Sequence, residues 1–199
     1  MKLLVFAGSA RQHSLNRKLA RVVADLATHT VEAVTHIELS DFDLPLYNGD
    51  LEAHGLPPDV LRLKQLALDH PGWIICTPEY NGTYPPLLKN TLDWLSRPVP
   101  ADPAWKDGLR PFRDKVVGVI SASPGALGGL RAHPHLASLL LTLKCWVAPT
   151  GYALSHAETA FDEQGRLINA TARQGVEAVI HQVATAMRRL SAADSSGLP

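Results

Sequence analysis

The sequence predicts an α/β fold, a doubly wound five-stranded parallel sheet with helices on both faces. Three observations lead to this prediction. Short continuous apolar runs are typical of strands that a parallel sheet buries on both faces. Stretches with apolar residues at helical spacing separate these runs, so strands and helices alternate five times along the chain. The 199 residues, 46 % hydrophobic and 19 % charged, have the composition of one globular domain.

The first half of the chain supplies three strands and two helices. Residues 3–7 form an apolar run that ends at Gly8 and predicts the first strand. Apolar residues then recur at helical spacing through residues 15–26, which predicts a helix capped near Ser14 or Asn16. Three further elements complete this half: a strand within residues 31–39, a helix after the Pro57-Pro58 pair, and a strand over residues 73–77.

The second half continues the alternation around one long loop. Four prolines within residues 97–111 exclude a regular element there. The other elements expected are a helix over residues 87–95, a strand over 115–121, a mostly helical stretch over 127–143, a strand within 146–154 and a closing helix over 170–190. A single domain is therefore expected over residues 1–190, followed by a frayed, disordered tail over residues 191–199.

Charge and cysteine content exclude several classes of function. The chain carries 19 Lys and Arg against 19 Asp and Glu, so its formal net charge is zero. Neither nucleic acid nor a membrane surface is an expected partner for such a chain. Cys76 and Cys145 are too few for a disulfide framework and lack the paired spacing of a zinc site, so no metal site is expected. Free cysteines fit a reducing compartment, and we expect a cytoplasmic protein.

The loop after the first strand has the composition of a phosphate site. Residues 8–16 offer a turn glycine, two serines, an arginine and an asparagine, and they lead into the free N–H groups of a helix N-terminus. Such groups bind anions, although an ordinary capped turn is the open alternative. Neither a P-loop nor a Gly-x-Gly-x-x-Gly turn is present. A phosphate held by hydroxyls and one arginine points to a monophosphate ligand such as FMN.

Two further loops are expected at the same edge of the sheet. Residues 77–86 follow the third strand, which neighbours the first in a strand order of 2-1-3-4-5. Prolines stiffen this loop and Gly82 permits a tight bend, so its amides could bond the polar edge of a flat heterocycle; a rigid turn without a ligand is the alternative. Residues 121–129 follow the fourth strand and supply glycines and two hydroxyls.

Together these loops resemble the NADPH-dependent FMN reductase family, which includes quinone, chromate and azo reductases. The resemblance covers about residues 1–180. The motifs that carry it, in chain order, are Gly8-Ser9-x-Arg11-x-x-Ser14-x-Asn16, Leu44-Pro45-Leu46-Tyr47-Asn48, Pro78-Glu79-Tyr80-Asn81, Leu88-Lys89-Asn90, Asp93-Trp94 and Gly128-Gly129. It implies a flavodoxin-like domain that binds FMN and works as a homodimer or homotetramer.

The resemblance also implies the residues of the site. The FMN phosphate would be held by Ser9, Arg11, Ser14 and Asn16. The ring and ribityl chain would be contacted by Pro78, Glu79, Tyr80 and Asn81, with Ser123 and Gly128 or Gly129 completing the site. No residue is expected to act as a general acid or base, because the hydride chemistry belongs to the cofactor.

The function this implies is ping-pong hydride transfer. NADPH or NADH would reduce bound FMN, and a small-molecule acceptor such as a quinone, azo compound, free flavin or metal oxyanion would then take the electrons. One alternative is a flavodoxin-like electron carrier that binds FMN without turning over NAD(P)H. Another is a phosphate-binding module without flavin, since a fold does not fix a function.

The helix expected at residues 87–95 leaves one structural question open. It is rich in leucine and carries Trp94, and Trp105 follows in the proline-rich loop. These apolar side chains either cover a subunit interface or pack in the core of the domain.

Overall fold

The computed structural model describes residues 1–195, with side chains through residue 192. The strands are β1 (Lys2–Ala7), β2 (Ala33–Glu38), β3 (Gly72–Cys76), β4 (Val116–Ala122), β5 (Trp146–Val147) and β6 (Tyr152–Leu154). The helices are α1 (Leu15–Ala27), α2 (Gly49–Glu52), α3 (Pro58–Asp69), α4 (Pro86–Leu95), α5 (Ala132–Thr142) and α6 (Ala170–Ser195). Short 3₁₀ turns cover Leu39–Asp41 and Ala157–Thr159.

The parallel sheet has the predicted strand order, β2-β1-β3-β4-β5. Central strand β1 pairs with β2 through Leu3 opposite Val34, and with β3 through Leu3 opposite Gly72. The expected fifth strand is divided into two short strands, β5 and β6. Both pair in parallel with β4, so the sheet has a sixth strand in addition to the five expected. Pro149 lies between β5 and β6 and has no N–H to continue a ladder.

Alternation along the strands divides the core between the two faces of the sheet. Leu3 and Val5 of β1 pack on the face covered by α1 and α6, whereas Leu4 and Phe6 pack on the face covered by α3, α4 and α5. All four side chains are buried. Because both faces are covered, the carboxyl edge of the sheet and its loops are where polar side chains of neighbouring strands can meet.

Two helices differ from their predicted bounds. Helix α5 begins at Ala132 instead of near residue 127, because Gly128 and Gly129 have φ angles of 60° and 90° that a right-handed helix cannot include. Helix α6 continues through Ser195 rather than ending at residue 190. The part of the expected tail at residues 191–195 is therefore helical, and residues 196–199 lie outside the described residues.

The aromatic side chains of the α4 region belong to the core. Trp94 is fully buried and Trp105 is 6 % exposed, and Leu88, Leu92 and Leu95 are buried beside them. Core packing is thus the correct alternative for these residues. None of the helices described has the length and apolar character needed to cross a bilayer.

Candidate functional site

The three predicted loops meet in one cavity at the carboxyl edge of the sheet. The cavity has a volume of about 160 Å³. Its lining residues are Ser9, Arg11, Ser14, Leu15, Asn16, Pro78, Glu79, Tyr80, Ala122, Ser123 and Pro124. Eight of the eleven residues predicted for the site are among them, and Asn81, Gly128 and Gly129 are not. The fold therefore brings together most of the predicted residues, although 114 positions separate Ser9 from Ser123 in the chain.

The first loop passes close to the start of α4. Its glycine, Gly8, donates its N–H to the carbonyl of Cys76 at 2.9 Å. A Cβ atom at this position would lie 3.2 Å from Cβ of Leu88 and 3.3 Å from Cγ of Pro85, so a side chain would push the loop away from α4. Ser14 then caps α1, and its hydroxyl accepts the N–H of Arg17 at 3.4 Å. The N-terminus of α1 thereby faces the cavity with its positive dipole end.

Arg11 brings a positive charge to this helix N-terminus. Its side chain is exposed, and Nη2 donates only to the carbonyl of His13 in the same loop, at 3.2 Å. The ion pairs formed within residues 1–192 do not include Arg11. The hydroxyl of buried Ser9 accepts the N–H of Arg11 at 3.4 Å, a long bond that leaves the hydroxyl proton available. The first loop thus presents a cation and two hydroxyls beside a helix N-terminus, a donor set suited to an anion.

The side chain of Asn16 forms two hydrogen bonds to a distant strand, a structural role that its position in the sequence does not indicate. Its Nδ2 donates to the carbonyl of Ala122 at 2.9 Å, and its Oδ1 accepts the N–H of Ala122 at 2.9 Å. The side chain is only 3 % exposed. Asn16 therefore joins α1 to the end of β4, and one Nδ2 hydrogen is the only donor that its amide has left for a ligand.

The second loop contains a two-residue hairpin turn. Tyr80 and Thr83 exchange backbone hydrogen bonds of 2.9 and 3.1 Å across Asn81 and Gly82. Both central residues have positive φ, 52° and 83°, as type I′ turns require and as Asn-Gly pairs favour. Asn81 is exposed and lies outside the cavity lining, so its observed task is to form the turn, and its predicted contact with a ligand stays a prediction. Tyr80 lines the cavity with 48 % of its surface exposed.

A carboxylate and a guanidinium join the second loop to the third. Oε1 of Glu79 accepts Nε of Arg131 at 2.6 Å and forms an ion pair with Nη2 of the same side chain. Oε2 accepts the backbone N–H of Arg131 at 3.1 Å. Both carboxylate oxygens are thus bound to protein. Sequence reasoning missed Arg131, because nothing in the spacing along the chain connects it with a residue 52 positions earlier.

The two glycines of the third loop allow close backbone packing. A Cβ on Gly128 would lie 2.7 Å from backbone carbons of Ala153 and Leu154 on strand β6. A Cβ on Gly129 would lie 3.0 Å from Cβ of Ser121. Both glycines are buried and have positive φ. They therefore shape the wall behind the cavity, and their predicted contact with a ligand stays a prediction.

A buried hydrogen-bond chain supports this wall. The hydroxyl of Ser121 donates to the carbonyl of Gly128 at 2.7 Å and lies 2.8 Å from Nε2 of His133. The Ser121 hydroxyl donates its proton to the carbonyl of Gly128, so it can only accept a bond from His133. The imidazole must therefore carry a proton on Nε2 and donate it to the hydroxyl oxygen of Ser121. Burial lowers the pKa of His133, and the carboxylate of Glu79 opposes part of this effect. His133 is therefore a neutral donor at pH 7.

The remaining titratable groups do not make a nucleophilic centre at this cavity. Burial raises the pKa of the Cys76 thiol, which is fully enclosed, and that of Cys145 to about 12. Both are thiols at neutral pH and behave as small apolar side chains. Among the described residues, no group of three or more His, Cys, Asp and Glu side chains is placed to hold a metal ion.

A larger concavity lies elsewhere on the molecule. A groove of about 570 Å³ runs between β5 and the second half of α6. Val116, the first residue of β4, lines this groove, whereas Ala122, the last residue of β4, lines the small cavity. The walls of the larger groove include the apolar side chains of Trp146, Val147 and Leu190. Because donors for an anion converge at the smaller cavity, chemistry rather than volume identifies that cavity as the candidate site.

Comparison with known proteins gives consistent results. Residues 1–159 match the family described as NADPH-dependent FMN reductase. An NAD(P)H-dependent FMN reductase of Pseudomonas aeruginosa is 34 % identical over 194 residues, which is 96 % of this chain and 97 % of that protein. A quinone reductase of Pseudomonas putida is 37 % identical over 84 % of both chains. The structure of FerB, a flavoenzyme NAD(P)H:(acceptor) oxidoreductase from Paracoccus denitrificans, superimposes with a TM-score of 0.78 and 30 % identity, covering 94 % of this chain and 97 % of FerB.

Proposed function

This chain belongs to the NADPH-dependent FMN reductase family, and from that membership we propose that it transfers electrons from NAD(P)H through bound FMN to a small-molecule acceptor. It is an oxidoreductase, and FMN and NAD(P)H are its cofactors. The observation that carries the proposal is the first loop, where Arg11, Ser9 and Ser14 surround a helix N-terminus. These are the donors that a phosphate monoester needs.

The donor set is sufficient in magnitude for the phosphate end of FMN. Micromolar affinity corresponds to about 8 kcal/mol. Each hydrogen bond to a charged group contributes roughly 1.5 to 3 kcal/mol. The guanidinium of Arg11, the hydroxyls of Ser9 and Ser14 and the free N–H groups of α1 therefore nearly account for such an affinity. We assign the phosphate to Arg11, Ser9 and Ser14, with Asn16 contributing mainly by fixing the wall at Ala122.

The cavity is too small to enclose a whole flavin nucleotide. Its volume of about 160 Å³ is roughly half of the 300 Å³ at which pockets for drug-sized ligands begin. The residues of the first loop would therefore hold the phosphate end, and Pro78, Glu79 and Tyr80 of the second loop, which face the cavity, would contact the flat ring. Since the carboxylate of Glu79 is bound to Arg131, this residue meets the ring through its backbone.

The residues of the site bind and orient rather than exchange protons. Bound FMN would supply the redox chemistry, which is hydride acceptance from NAD(P)H and electron delivery to the acceptor in two separate half-reactions. The loops hold one side of the site rigid through Asn16, Ser121 and the Glu79–Arg131 pair. Tyr80 stands at the open side, where NAD(P)H and then the acceptor can reach the same place in turn. A ping-pong cycle follows from one shared, open face.

The names of two similar proteins indicate which electron acceptor to test first. The P. putida relative is a quinone reductase and FerB is an NAD(P)H:(acceptor) oxidoreductase. We propose a quinone as the first acceptor to test, with azo compounds, free flavins and metal oxyanions as further candidates. The two buried, free cysteines suit a reducing compartment such as the cytoplasm.

Two exposed leucines, Leu46 and Leu51, give one part of the surface an apolar character that suits self-association. The segment around Pro45 is fastened to α4, since the Pro45 carbonyl accepts Nε1 of Trp94 at 2.7 Å and Nδ2 of Asn90 at 2.9 Å. Leu46 is 80 % exposed there, and Leu51 is 47 % exposed. We propose a homodimer or homotetramer that covers this surface. Light scattering on the purified protein checks the mass, and a Leu46→Glu variant is expected to lower it to that of a monomer.

Two measurements test the proposed reaction. Protein reconstituted with FMN and desalted should keep a yellow flavin spectrum that bleaches on anaerobic addition of NADPH. If the protein keeps its yellow colour and NADPH does not bleach it, the protein is an electron carrier. If the protein is colourless, it does not bind FMN and the proposed function is wrong. Initial rates with a quinone should give parallel double-reciprocal lines at several quinone concentrations, whereas intersecting lines would require a ternary complex.

A further inference from the structure

Arg131 is an exposed residue outside the cavity lining, yet its side chain is held firmly. It is 66 % exposed, whereas the side chain of its partner Glu79 is only 10 % exposed. Three bonds join the two residues, two from the guanidinium to Oε1 and one from the backbone N–H of Arg131 to Oε2. A carboxylate so little exposed needs a partner, because solvent cannot replace the lost bonds. The pair is therefore more than an ordinary surface ion pair.

The position of Glu79 makes this contact relevant to the second loop. Glu79 directly precedes the Tyr80–Thr83 hairpin turn and follows Pro78, and all of Pro78, Glu79 and Tyr80 line the cavity. The hairpin itself is closed only by the backbone bonds between Tyr80 and Thr83. The Glu79 carboxylate is thus the side-chain contact through which the third loop can fix the start of this turn.

The other half of the contact is equally well supported. Arg131 follows the two glycines of the third loop in the chain. Gly129 lies close to Ser121 and Glu79, since a Cβ atom on Gly129 would be 3.7 Å from Cβ of Glu79. The Ser121 hydroxyl, which His133 holds in turn, donates to the carbonyl of Gly128. Arg131 therefore projects from a segment anchored to β4 and acts on the second loop from a fixed base.

We propose that Arg131 is a positioning residue, which acts through Glu79 to hold the second loop in the arrangement that binds the flavin ring. The inference rests on the proposed function, since it concerns the same site. Arg131 itself does not touch the cavity. Its loss would leave the phosphate donors of the first loop intact while the ring-binding loop becomes free to move.

The experiment compares Arg131→Met with the wild type and with a matched control. Methionine keeps much of the apolar stem and removes the charge. We expect FMN to bind about tenfold more weakly and the visible circular dichroism of the bound flavin to change. The melting temperature of the apoprotein should fall only slightly, because the exposed guanidinium is lost while the backbone N–H of Arg131 still binds Oε2 of Glu79. The control is Arg173→Met, which removes an exposed ion pair to Glu177 on α6 and should change neither quantity.

Two further variants separate a positioning role from a structural one. Arg131→Lys restores a positive charge and should recover part of the affinity and of the flavin spectrum. Glu79→Gln removes the charge from the other partner and should weaken FMN binding in the same direction, which tests the inference even if Arg131→Met fails to fold. A lower melting temperature with unchanged FMN affinity and spectrum would make Arg131 merely structural and overturn the inference. If the wild type itself bound no FMN, the proposed function would fail and this inference with it, whereas equal binding by wild type and Arg131→Met rejects the inference alone.

Discussion

The first loop and the other two loops of the site use their polar side chains in different ways. In the first loop, Ser9 and Ser14 accept single backbone N–H groups at 3.4 Å, and Arg11 reaches a carbonyl at 3.2 Å. In the second and third loops, the bonds of Glu79 to Nε of Arg131 and of Ser121 to Gly128 are 2.6 and 2.7 Å. Long, weak bonds thus leave Ser9, Arg11 and Ser14 able to turn to a ligand, whereas short bonds hold Glu79 and Ser121 to the protein.

This difference indicates a division of labour. Side chains that are loosely bonded in the folded chain can turn to a ligand at little cost, so the first loop should determine affinity for the phosphate. Side chains that are already bonded to protein cannot do so, and they instead fix the backbone of the second and third loops. Substitutions of the loosely bonded side chains should therefore alter FMN binding without altering stability, and those of side chains already bonded to protein should alter stability or loop position.

The largest expected effect comes from Asn16, the last residue of the first loop, whose amide is bound on both sides to the backbone of Ala122. Asn16→Ala removes two buried hydrogen bonds and leaves the N–H and carbonyl of Ala122 unpaired. We expect the free energy of unfolding to fall by about 3 kcal/mol. Urea denaturation of the apoprotein measures it, with Gln12→Ala, an exposed amide in the same loop, as the control. An unchanged midpoint would show that the Asn16 contacts add no stability.

The second prediction concerns the guanidinium of Arg11. Arg11→Ala removes a charged donor to the phosphate, so FMN affinity should fall by about 2 kcal/mol while the unfolding free energy stays the same. Calorimetric titration with FMN measures the affinity. The control is Lys18→Ala, which removes an exposed positive charge from the first turn of α1. Unchanged affinity for Arg11→Ala would reject its role as a phosphate ligand.

A third prediction separates helix capping from phosphate binding at Ser14. Aspartate is as good an N-cap as serine, so Ser14→Asp should preserve stability. Its negative charge would oppose the phosphate, and FMN should bind about tenfold more weakly. Ser14→Asn keeps the cap without the charge and is the matched control. Equal FMN binding by both variants would place the phosphate away from the helix N-terminus.

The smallest expected effect is a pH dependence at His133. Because burial lowers its folded pKa below the ordinary value of 6.5, the unfolded chain binds the proton more readily. The stability that this residue contributes is complete above pH 6.5 and is lost as the pH falls through the folded pKa. His133→Gln retains a donor for Ser121 and should flatten the decrease in stability below pH 6.5. The exposed His135→Gln variant is the control, and identical slopes for His133→Gln and the wild type would contradict the account.

Much of the fold could be predicted from the sequence, because its signals are local. The apolar runs of β1 and β3 and the helical spacing of α1 depend on neighbouring residues. The strand order was predicted from the flavodoxin type of doubly wound sheet, because alternation alone fits more than one order. The split of the last strand was missed, since an extended run does not show that Pro149 separates two pairings with β4. Where α5 begins was also misjudged, because the positive φ of two glycines depends on what their backbone packs against.

The sequence predicted most of the side chains that line the cavity, but not the contacts that they make. Eight predicted residues line one cavity because loops after parallel strands meet at one edge. The partner of Asn16 lies 106 residues away and that of Glu79 lies 52 residues away. No local pattern in the sequence encodes such pairs. Ligand contacts were therefore predicted for Asn16 and Glu79, whereas the structure shows that their side chains form hydrogen bonds to distant parts of the chain.

The most direct test of the division of labour compares FMN with riboflavin, which has the same ring and lacks the phosphate. Titration of the apoprotein with each should show that FMN binds at least about a hundredfold more tightly. Most of that difference should disappear in Arg11→Ala. Equal affinity of the wild-type protein for the two ligands would contradict the account, because it would mean that the first loop holds no phosphate.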